Sequence, residues 1–266
     1  MNNKKMLFFD IDGTLIPEGG ECVPESTKKA ISQARANGHL LFINTGRTYF
    51  NIDPIIRELN FHGYVCGCGT YIYYEGQKLF GRTIPHEQCL NLIRLMRQCR
   101  IPGFYEENEH IYFDTDASAP SAHMLESARR IFGTKAYDFP ENIFDPSFTF
   151  DKILAYIQPD SDISTFQEYS KHILEYIDRG GNIAEIIQKG YSKATGIQFL
   201  CDHLGIPINN CYAIGDSTND LSMLEYVPNS IAMGNSDTLV KERCLYITDN
   251  VEHDGIYNAM KHFGLI

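Results

Sequence analysis

The first 65 residues alternate between short apolar runs and longer amphipathic segments. The apolar runs predict strands and the segments between them predict helices, in the order "KMLFFD", "PESTKKAISQARANG", "HLLFIN", "TYFNIDPIIRELN" and "GYVCG". Such an alternation is typical of a parallel sheet. Because the predicted strands are almost entirely apolar, helices are expected to cover both faces of that sheet. The sequence therefore predicts an α/β fold with a doubly wound, Rossmann-like parallel sheet.

This alternation stops after residue 82 and resumes near residue 192. Before the break, "TYIYYEGQKLFGRTI" has two β-rich runs around a Glu-Gly pair and predicts a hairpin. The next segment predicts an α+β mixture, with helices near 86–100, 121–132 and 163–178 and strands near 103–114 and in "KILAYIQ". We therefore expect a core domain of residues 1–82 and 187–266, interrupted by an inserted α+β domain at 83–186, which has the size of an independent unit.

Composition restricts the classes of partner. The 266 residues are 43% apolar and 21% charged, which is typical of a soluble globular protein. The net charge of −11 argues against nucleic acid as a partner, because affinity for a phosphate backbone needs clustered Lys and Arg. An acidic protein can still bind a small phosphorylated metabolite through a few cations, a metal ion or helix N-termini.

Location and redox state follow from similar arguments. No window approaches the roughly 18 to 20 apolar residues that a spanning helix requires, and the N-terminal segment passes from Lys directly into Asp, so we expect a cytoplasmic protein without a membrane partner. The eight cysteines are scattered through the chain, and most are expected to be reduced thiols. Oligomeric state has no signal in the sequence.

Polar residues cluster where the predicted strands of the core end. In a parallel α/β sheet, ligands bind in the loops at the carboxyl ends of the strands, so these clusters are expected to meet. The four clusters are Asp10, Asp12, Gly13 and Thr14; Asn44, Thr45, Gly46 and Arg47; Ser192 and Lys193; and Gly215, Asp216, Ser217, Asn219 and Asp220.

The residue types in these clusters favour phosphoryl transfer. Several carboxylates at one rim repel one another unless a divalent cation lies among them, and oxygen ligands without His or Cys select Mg²⁺. Thr45 and Lys193 supply donors for the charge of a transferring phosphoryl group. Since the clusters contain no Ser-His or Cys-His pair, the nucleophile is expected to be a carboxylate.

Four spaced motifs now point to one family. The segments "DIDGTL", "FINTGR", "SK" after the long insertion and "GDSTNDLSML" resemble the four motifs of the haloacid dehalogenase (HAD) superfamily of phosphatases, in the order that superfamily uses. The chain most resembles the Cof-like sugar-phosphatase subgroup, in which "TGR", "AMGN" and a late "DG" also recur. The resemblance covers about 160 residues of the two core segments. It implies a HAD core with a cap domain inserted after the third strand.

The resemblance also implies a role for each matching residue. Asp10 would be the nucleophile and Asp12 the acid and then the base, with its backbone carbonyl on Mg²⁺. Asp10 and Asp216 would bind the metal, and Asn219 and Asp220 would be further ligands or would orient them. Thr45 and Lys193 would hold the phosphoryl oxygens, and Gly46 would let the backbone approach closely. Gly13 and Asn219 would also be among the residues that bind the substrate or its phosphate. Arg47 would meet the substrate or orient its own loop.

Several alternatives remain at this point. The first motif alone could be an ordinary turn, and Asp216 and Ser217 could simply cap the helix that follows. Lys189 competes with Lys193 for the lysine role. The chain departs from the family pattern at Cys68, where Asn is common, and at Ala194, where Gly is common. A phosphomannomutase-like phosphotransferase and a non-catalytic phosphometabolite-binding regulator are the alternatives to a phosphatase.

Overall fold

The computed structural model of the protein describes residues 4–20 and 22–266. The described chain divides into two compact units. The first unit comprises the described residues up to Arg47, together with Ile52–Gly81 and Tyr191–Ile266. The second comprises Thr48–Asn51 and Arg82–Gly190. No helix in the described residues is long and apolar enough to cross a membrane.

The first unit is built on an eight-stranded sheet. Its strands are β1 (Met6–Phe9), β2 (Leu40–Asn44), β3 (Gly63–Cys66), β4 (Tyr71–Tyr74), β5 (Gln77–Gly81), β12 (Cys211–Gly215), β13 (Asn229–Ala232) and β14 (Tyr246–Ile247). They lie in the order β14-β13-β12-β1-β2-β3-β4-β5. The pairs from β14 to β3 are parallel, and the predicted hairpin of β4 and β5 extends the sheet in antiparallel register. The predicted fold class is confirmed.

Strand order determines where a ligand can bind in this unit. The chain moves outward from β1 through β2 and β3 on one side, and β12 and its successors lie on the other side. The two directions diverge between β1 and β12, which is the topological switch point of the sheet, and in open α/β sheets such points form the ligand crevice. Both strands are buried along their length, as strands covered on both faces must be.

The helices of the first unit are shorter in one region than the sequence predicts. They are α1 (Glu25–Ala36), α2 (Pro54–Arg57), α6 (Lys193–Leu204), α7 (Leu221–Tyr226), α8 (Thr238–Arg243) and α9 (Gly255–His262). The expected helix over 48–60 is wrong in extent, since the chain forms one 3₁₀ turn at Tyr49–Asn51 and then the short α2. Pro54 explains the break, because proline disfavours helical backbone at the preceding residue and suits the first position of a new helix.

The second unit is an α+β domain with its own core. Its six-stranded sheet has the order β10-β11-β9-β6-β7-β8. The strands are β6 (Gly103–Glu106), β7 (Ile111–Phe113), β8 (Ala136–Asp138), β9 (Lys152–Tyr156), β10 (Leu174–Asp178) and β11 (Ile183–Gln188), and the helices are α3 (His86–Gln98), α4 (His123–Phe132) and α5 (Ile163–Ser170). The buried side chains of α3, with Phe150, Ile153 and Phe166, form its main apolar cluster.

Two expectations for this unit are corrected by the structure. The helix predicted over 163–178 ends at Ser170, and Leu174–Asp178 is strand β10, paired with β11. The segment "LEYID" has only five residues, and so short a run does not distinguish a strand from a helix end by its periodicity. The domain boundary expected between 186 and 187 falls inside β11, because this strand completes the sheet of the second unit.

Candidate active site

Asp10 and Asp216 flank the switch point. Asp10 directly follows β1 and Asp216 directly follows β12, and the two strands are paired in parallel. The Asp10 N–H donates to the Ile214 carbonyl oxygen at 3.0 Å, so the nucleophile candidate is held by the sheet ladder itself. The aspartates predicted from distant motifs are therefore brought to one place by strand pairing.

Lys193 lies between two of the carboxylates. Its Nζ donates to Asp10 Oδ1 at 2.5 Å and also to Asp220 Oδ1, and the lysine side chain is only 1% exposed. The charges of Asp10 and Asp220 raise the pKa of Lys193 although burial opposes this, so the ammonium stays charged. Lys189, the alternative from the sequence, is exposed in the second unit and donates to the Lys171 carbonyl oxygen.

The start of α6 explains how Lys193 is positioned. Ser192 caps the helix, accepting a hydrogen bond from the Thr195 N–H at 3.2 Å, and the Thr195 hydroxyl accepts one from the Ser192 N–H in return. This capping box satisfies backbone donors that the first turn leaves without partners. The buried Asn44 side chain donates to the Lys193 carbonyl oxygen at 3.0 Å and ties the helix to the end of β2.

Three carboxylates form a cluster suited to a cation. One oxygen from each of Asp10, Asp216 and Asp220 lies within 4.8 Å of the others. Burial, followed by the charges of neighbouring carboxylates, raises the pKa of Asp10 to about 7 and that of Asp216 to about 8. A divalent cation would relieve both the burial cost and the repulsion, and an all-oxygen donor set fits a hard ion such as Mg²⁺.

Both carboxylate oxygens of Asp220 already have protein partners. Oδ1 accepts from Lys193, and Oδ2 accepts from the N–H groups of Asp216 and Ser217 at 2.9 and 3.1 Å. Asn219 is similarly engaged, since its Oδ1 accepts from the Ser217 hydroxyl at 2.6 Å. The two residues therefore shape the loop that presents Asp216.

The Asp216 carboxylate is fixed by the first motif. Its Oδ1 accepts a hydrogen bond from the hydroxyl of the fully buried Thr14 at 2.9 Å. It also lies directly over Gly13, where an added Cβ would come within 2.2 Å of Asp216 Oδ2. Gly13 has a φ of +79°, a conformation that glycine adopts without strain. The glycine is thus needed twice, for its backbone conformation and for the close approach of Asp216.

The side chain of Asp12 lies apart from this cluster and is held by Arg47. Arg47 donates from Nε to Asp12 Oδ2 at 2.9 Å and from Nη2 to Oδ1 at 2.6 Å, and from Nη1 to Asp53 Oδ2 at 2.9 Å. Although burial opposes it, bonding to the two aspartates raises the pKa of Arg47, so its charge is permanent. The sequence left Arg47 to meet the substrate or to orient its own loop, and in the structure its guanidinium contacts Asp12 and Asp53.

Thr45 and Gly46 lie in the turn between β2 and Arg47. The Thr45 hydroxyl accepts from the Arg47 N–H at 3.1 Å, and its carbonyl oxygen accepts from the Cys68 N–H at 3.2 Å. Cys68 has a φ of 55°, a left-handed conformation that Asn, the residue that the family resemblance implies here, adopts more readily than most residues.

Four residues important for this geometry had no role assigned from the sequence. Thr14 and Asn44 were recognised only as members of polar clusters, and Asp53 was not singled out. Asn235 belongs to the quoted "AMGN" segment; its side chain donates to the Gly13 carbonyl oxygen at 2.8 Å and accepts from the Val251 N–H at 3.0 Å. The sequence indicates that these residues are polar and, for Thr14, Asn44 and Asn235, that they lie in short motifs. It does not indicate their hydrogen-bond partners, several of which are more than 100 residues away.

Comparison with known proteins gives a consistent result. The sequence profile of the haloacid dehalogenase-like hydrolases matches residues 7–260. A protein of Bacillus subtilis (strain 168), provisionally named phosphatase YkrA, is 30% identical over 99% of both chains. The 5-amino-6-(5-phospho-D-ribitylamino)uracil phosphatase YcsE of the same organism is 27% identical over 98% of this chain and 96% of its own. The solved structure of BT4131, described as a HAD subclass IIB sugar phosphatase, superposes with a TM-score of 0.81, at 28% identity over 98% of this chain and all of the other.

Proposed function

Since the chain belongs to the haloacid dehalogenase-like hydrolase family and is a hydrolase of phosphoric monoesters, we propose that it is a Mg²⁺-dependent phosphatase that acts through a phosphoaspartate on Asp10. The observation that carries this proposal is the contact of Lys193 with both Asp10 and Asp220, beside the Asp216 carboxylate. The proposed nucleophile Asp10 and the proposed metal ligand Asp216 thus follow neighbouring strands, and the Lys193 ammonium contacts Asp10.

The residues present fit a magnesium ion. Asp10 and Asp216 have raised pKa values that a bound cation would lower, and the Asp12 backbone carbonyl is the further donor that the family resemblance implies. When bound, Mg²⁺ neutralises charge on the phosphoryl oxygens and lowers the repulsion between an anionic ester and the carboxylates. Asp220 would keep the loop of Asp216 in place, because its Oδ2 accepts from the N–H groups of Asp216 and Ser217.

In the first proposed step, an oxygen of Asp10 attacks phosphorus as the bond to the leaving oxygen breaks. Asp12 gives its proton to that oxygen, so the alcohol departs uncharged. Lys193 donates to the carboxylate and to the transferred group, and Thr45 binds a phosphoryl oxygen. Arg47 donates to both oxygens of Asp12, which favours the carboxylate form that the second step needs and keeps that carboxylate in one orientation. One of these two bonds must open for Asp12 to carry the proton of the first step.

In the second step, water attacks the phosphorus of the phosphoaspartate. Asp12, now a carboxylate, takes the proton of that water as the new bond forms. The bond between phosphorus and the Asp10 oxygen breaks, so phosphate leaves and the Asp10 carboxylate is restored. Asp12 is protonated again at the end, and the two aspartates have thus divided covalent and proton-transfer chemistry between them.

Small phosphorylated metabolites are the proposed substrates, with sugar phosphates as the first class to examine. This choice is supported by the named activities of the similar proteins, which include a sugar phosphatase and a phosphatase of a phosphoribitylamino-uracil. The second unit, built largely from residues 82–190, is proposed to select the leaving group, as the inserted cap does in the family that the sequence resembles.

The test is a phosphate-release panel with wild type and Asp10→Asn. We expect Mg²⁺-dependent release from some sugar phosphates by wild type and loss of release by about three orders of magnitude in the variant. Asp202→Asn is the matched control, because it removes a charge from an exposed carboxylate of the same unit. Undiminished turnover by Asp10→Asn would refute the nucleophile assignment, and phosphate returned only to sugar would identify a phosphotransferase.

A further inference from the structure

Two buried cysteines outside the candidate active site lie in contact. Cys201 is close to the end of α6 and Cys211 is the first residue of β12, and their sulfur atoms are 3.5 Å apart. Both are free thiols. A disulfide has a sulfur–sulfur distance of about 2.05 Å, so the two atoms would have to approach by roughly 1.5 Å to reach bonding distance.

The two cysteines differ in exposure. Cys201 is 7% exposed and borders a surface cleft of about 440 Å³ that is also lined by Asp202, Pro207 and Tyr226. Cys211 is fully buried beneath it. A small oxidant that enters the cleft would therefore meet the Cys201 sulfur first, with Cys211 directly behind it.

The contact also makes the two thiols chemically different. The hydrogen bond between the two sulfur atoms lowers the pKa of Cys201, although burial opposes this effect, and the same contact raises the pKa of Cys211. Thiolates are the reactive form of cysteine toward oxidants. By contrast, burial raises the pKa of Cys89 in the second unit to about 12 and leaves that thiol inert.

We propose that Cys201 and Cys211 form a redox-active thiol pair that hydrogen peroxide converts to an intramolecular disulfide. The Cys201 thiolate attacks one peroxide oxygen, the O–O bond breaks, and Cys201 becomes a sulfenic acid as one water leaves. The Cys211 sulfur then attacks the Cys201 sulfur, which releases a second water. Two thiols and one peroxide thus give one disulfide and two waters, and the bond joins α6 to β12.

The proposal is independent of the phosphatase mechanism and is tested by peptide mapping. The full chain is treated with hydrogen peroxide, remaining thiols are blocked with N-ethylmaleimide, and the denatured protein is digested with trypsin and Asp-N protease. Cleavage after Lys193 and before Asp202 and Asp216 places Cys201 in peptide 194–201 and Cys211 in peptide 202–215. We expect these peptides to be linked, with the loss of two hydrogens, and to separate after dithiothreitol.

Matched variants separate this thiol pair from the more accessible cysteines. In a Cys22→Ser, Cys244→Ser background, which removes one exposed and one half-buried thiol, the link should form as in wild type. Adding Cys211→Ala should abolish the link and leave Cys201 to oxidise further, with far-UV circular dichroism reporting that the variant is folded. Unlinked peptides after peroxide treatment of wild type, oxidation of Cys201 beyond sulfenic acid without a link, or linkage only between two chains would each overturn the proposal.

Discussion

Arg47 donates two hydrogen bonds to the Asp12 carboxylate, from Nε at 2.9 Å and from Nη2 at 2.6 Å. A bidentate contact fixes the plane of a carboxylate as well as its position. Asp53 holds the guanidinium from the other side at 2.9 Å. Arg47 therefore lies between Asp53 and Asp12 and sets the orientation of Asp12, the proposed acid, which is 35 residues away in the sequence.

Arg47→Lys should lower kcat while changing KM little. Lysine keeps the positive charge but cannot make the planar two-point contact, so Asp12 loses its fixed orientation. General acid–base catalysis is worth roughly 10²- to 10⁴-fold, and we expect a loss of about tenfold to hundredfold. Steady-state kinetics with an alkyl phosphate measures the fall in kcat. Asp53→Asn should also lower kcat, but by less.

The leaving group provides the control for that prediction. A nitrophenyl phosphate needs little protonation of its leaving oxygen, so its hydrolysis by Arg47→Lys should fall much less than that of the alkyl phosphate. Equal losses with the two substrates would show that Arg47 acts at a step that they share, such as hydrolysis of the phosphoaspartate, and not through protonation of the leaving oxygen by Asp12.

Gly13→Ala should weaken metal binding in addition to destabilising the protein. The new Cβ would stand 2.2 Å from Asp216 Oδ2 and would displace that carboxylate. Gly38→Ala is the matched control, since Gly38 has a φ of +85° but no atom within 4 Å of the added Cβ. The left-handed backbone alone costs about 1–2 kcal/mol in either variant.

The two alanine variants should therefore differ in two measurements. Gly13→Ala should lose more free energy of unfolding than Gly38→Ala in denaturant titrations, and only Gly13→Ala should need more Mg²⁺ for half-maximal phosphate release. If both variants had the same Mg²⁺ requirement, the close approach of Gly13 and Asp216 would have no part in metal binding.

Lys193→Met should abolish most activity and lower stability. It removes the buried ammonium from between Asp10 and Asp220 and leaves their repulsion uncompensated. Breaking a buried ion pair in this way costs about 3–5 kcal/mol, and kcat should fall by about 10²-fold or more. Lys189→Met, in an exposed position, should behave as wild type in both urea unfolding and phosphate release. A similar loss of phosphate release in the two variants would contradict the role assigned to Lys193.

Magnesium should stabilise the protein more strongly as the pH rises. Without metal, the folded-state pKa values of Asp10 and Asp216, about 7 and about 8, lie above the unfolded value of about 3.9. The folded state therefore holds these protons more tightly, and their contribution to the free energy of unfolding is complete below about pH 4 and is lost as pH rises through about 8. Mg²⁺ competes with those protons, so its effect grows over the same interval.

Thermal unfolding with EDTA or with Mg²⁺ checks this expectation. The increase in Tm on adding Mg²⁺ should be small near about pH 5 and should approach its maximum near about pH 8.5. Asp216→Asn removes one of the two titrating groups and should flatten the dependence. An increase that is independent of pH in wild type would contradict the assignment of these carboxylates as the metal site.

The parts of the site that could be predicted are those fixed by strand ends. Asp10, Thr45 and Asp216 follow buried apolar strands, and parallel pairing brings such positions together whatever the surrounding side chains are. The capping of α6 is similarly local, since Ser192 and Thr195 are three residues apart. These features depend on hydrogen bonds between residues close in sequence, and on the rule that ligands bind at the carboxyl ends of parallel strands.

Two kinds of feature could not be predicted from the sequence. One is the direction in which a side chain turns, and the other is the conformation of a short segment with only a weak preference for helix or strand. Nothing in the spacing shows that Arg47 turns toward Asp12, because that direction depends on the backbone path of the Thr45 turn and on Asp53. Strand β10 was missed because its five residues acquire strand structure only by pairing with β11. Short segments of this kind take their conformation from tertiary contacts, which outweigh propensity.

The carboxylate cluster has a consequence for the order in which ligands bind. Lys193 compensates only one of the three negative charges that Asp10, Asp216 and Asp220 carry when ionised. A phosphate dianion entering that field meets like charge, and repulsion at short range in a buried site is large. A divalent cation removes the excess. Where Asp10 and Asp216 are ionised, we therefore expect metal to bind before ester, and inorganic phosphate should act as a product inhibitor only of the metal-loaded enzyme.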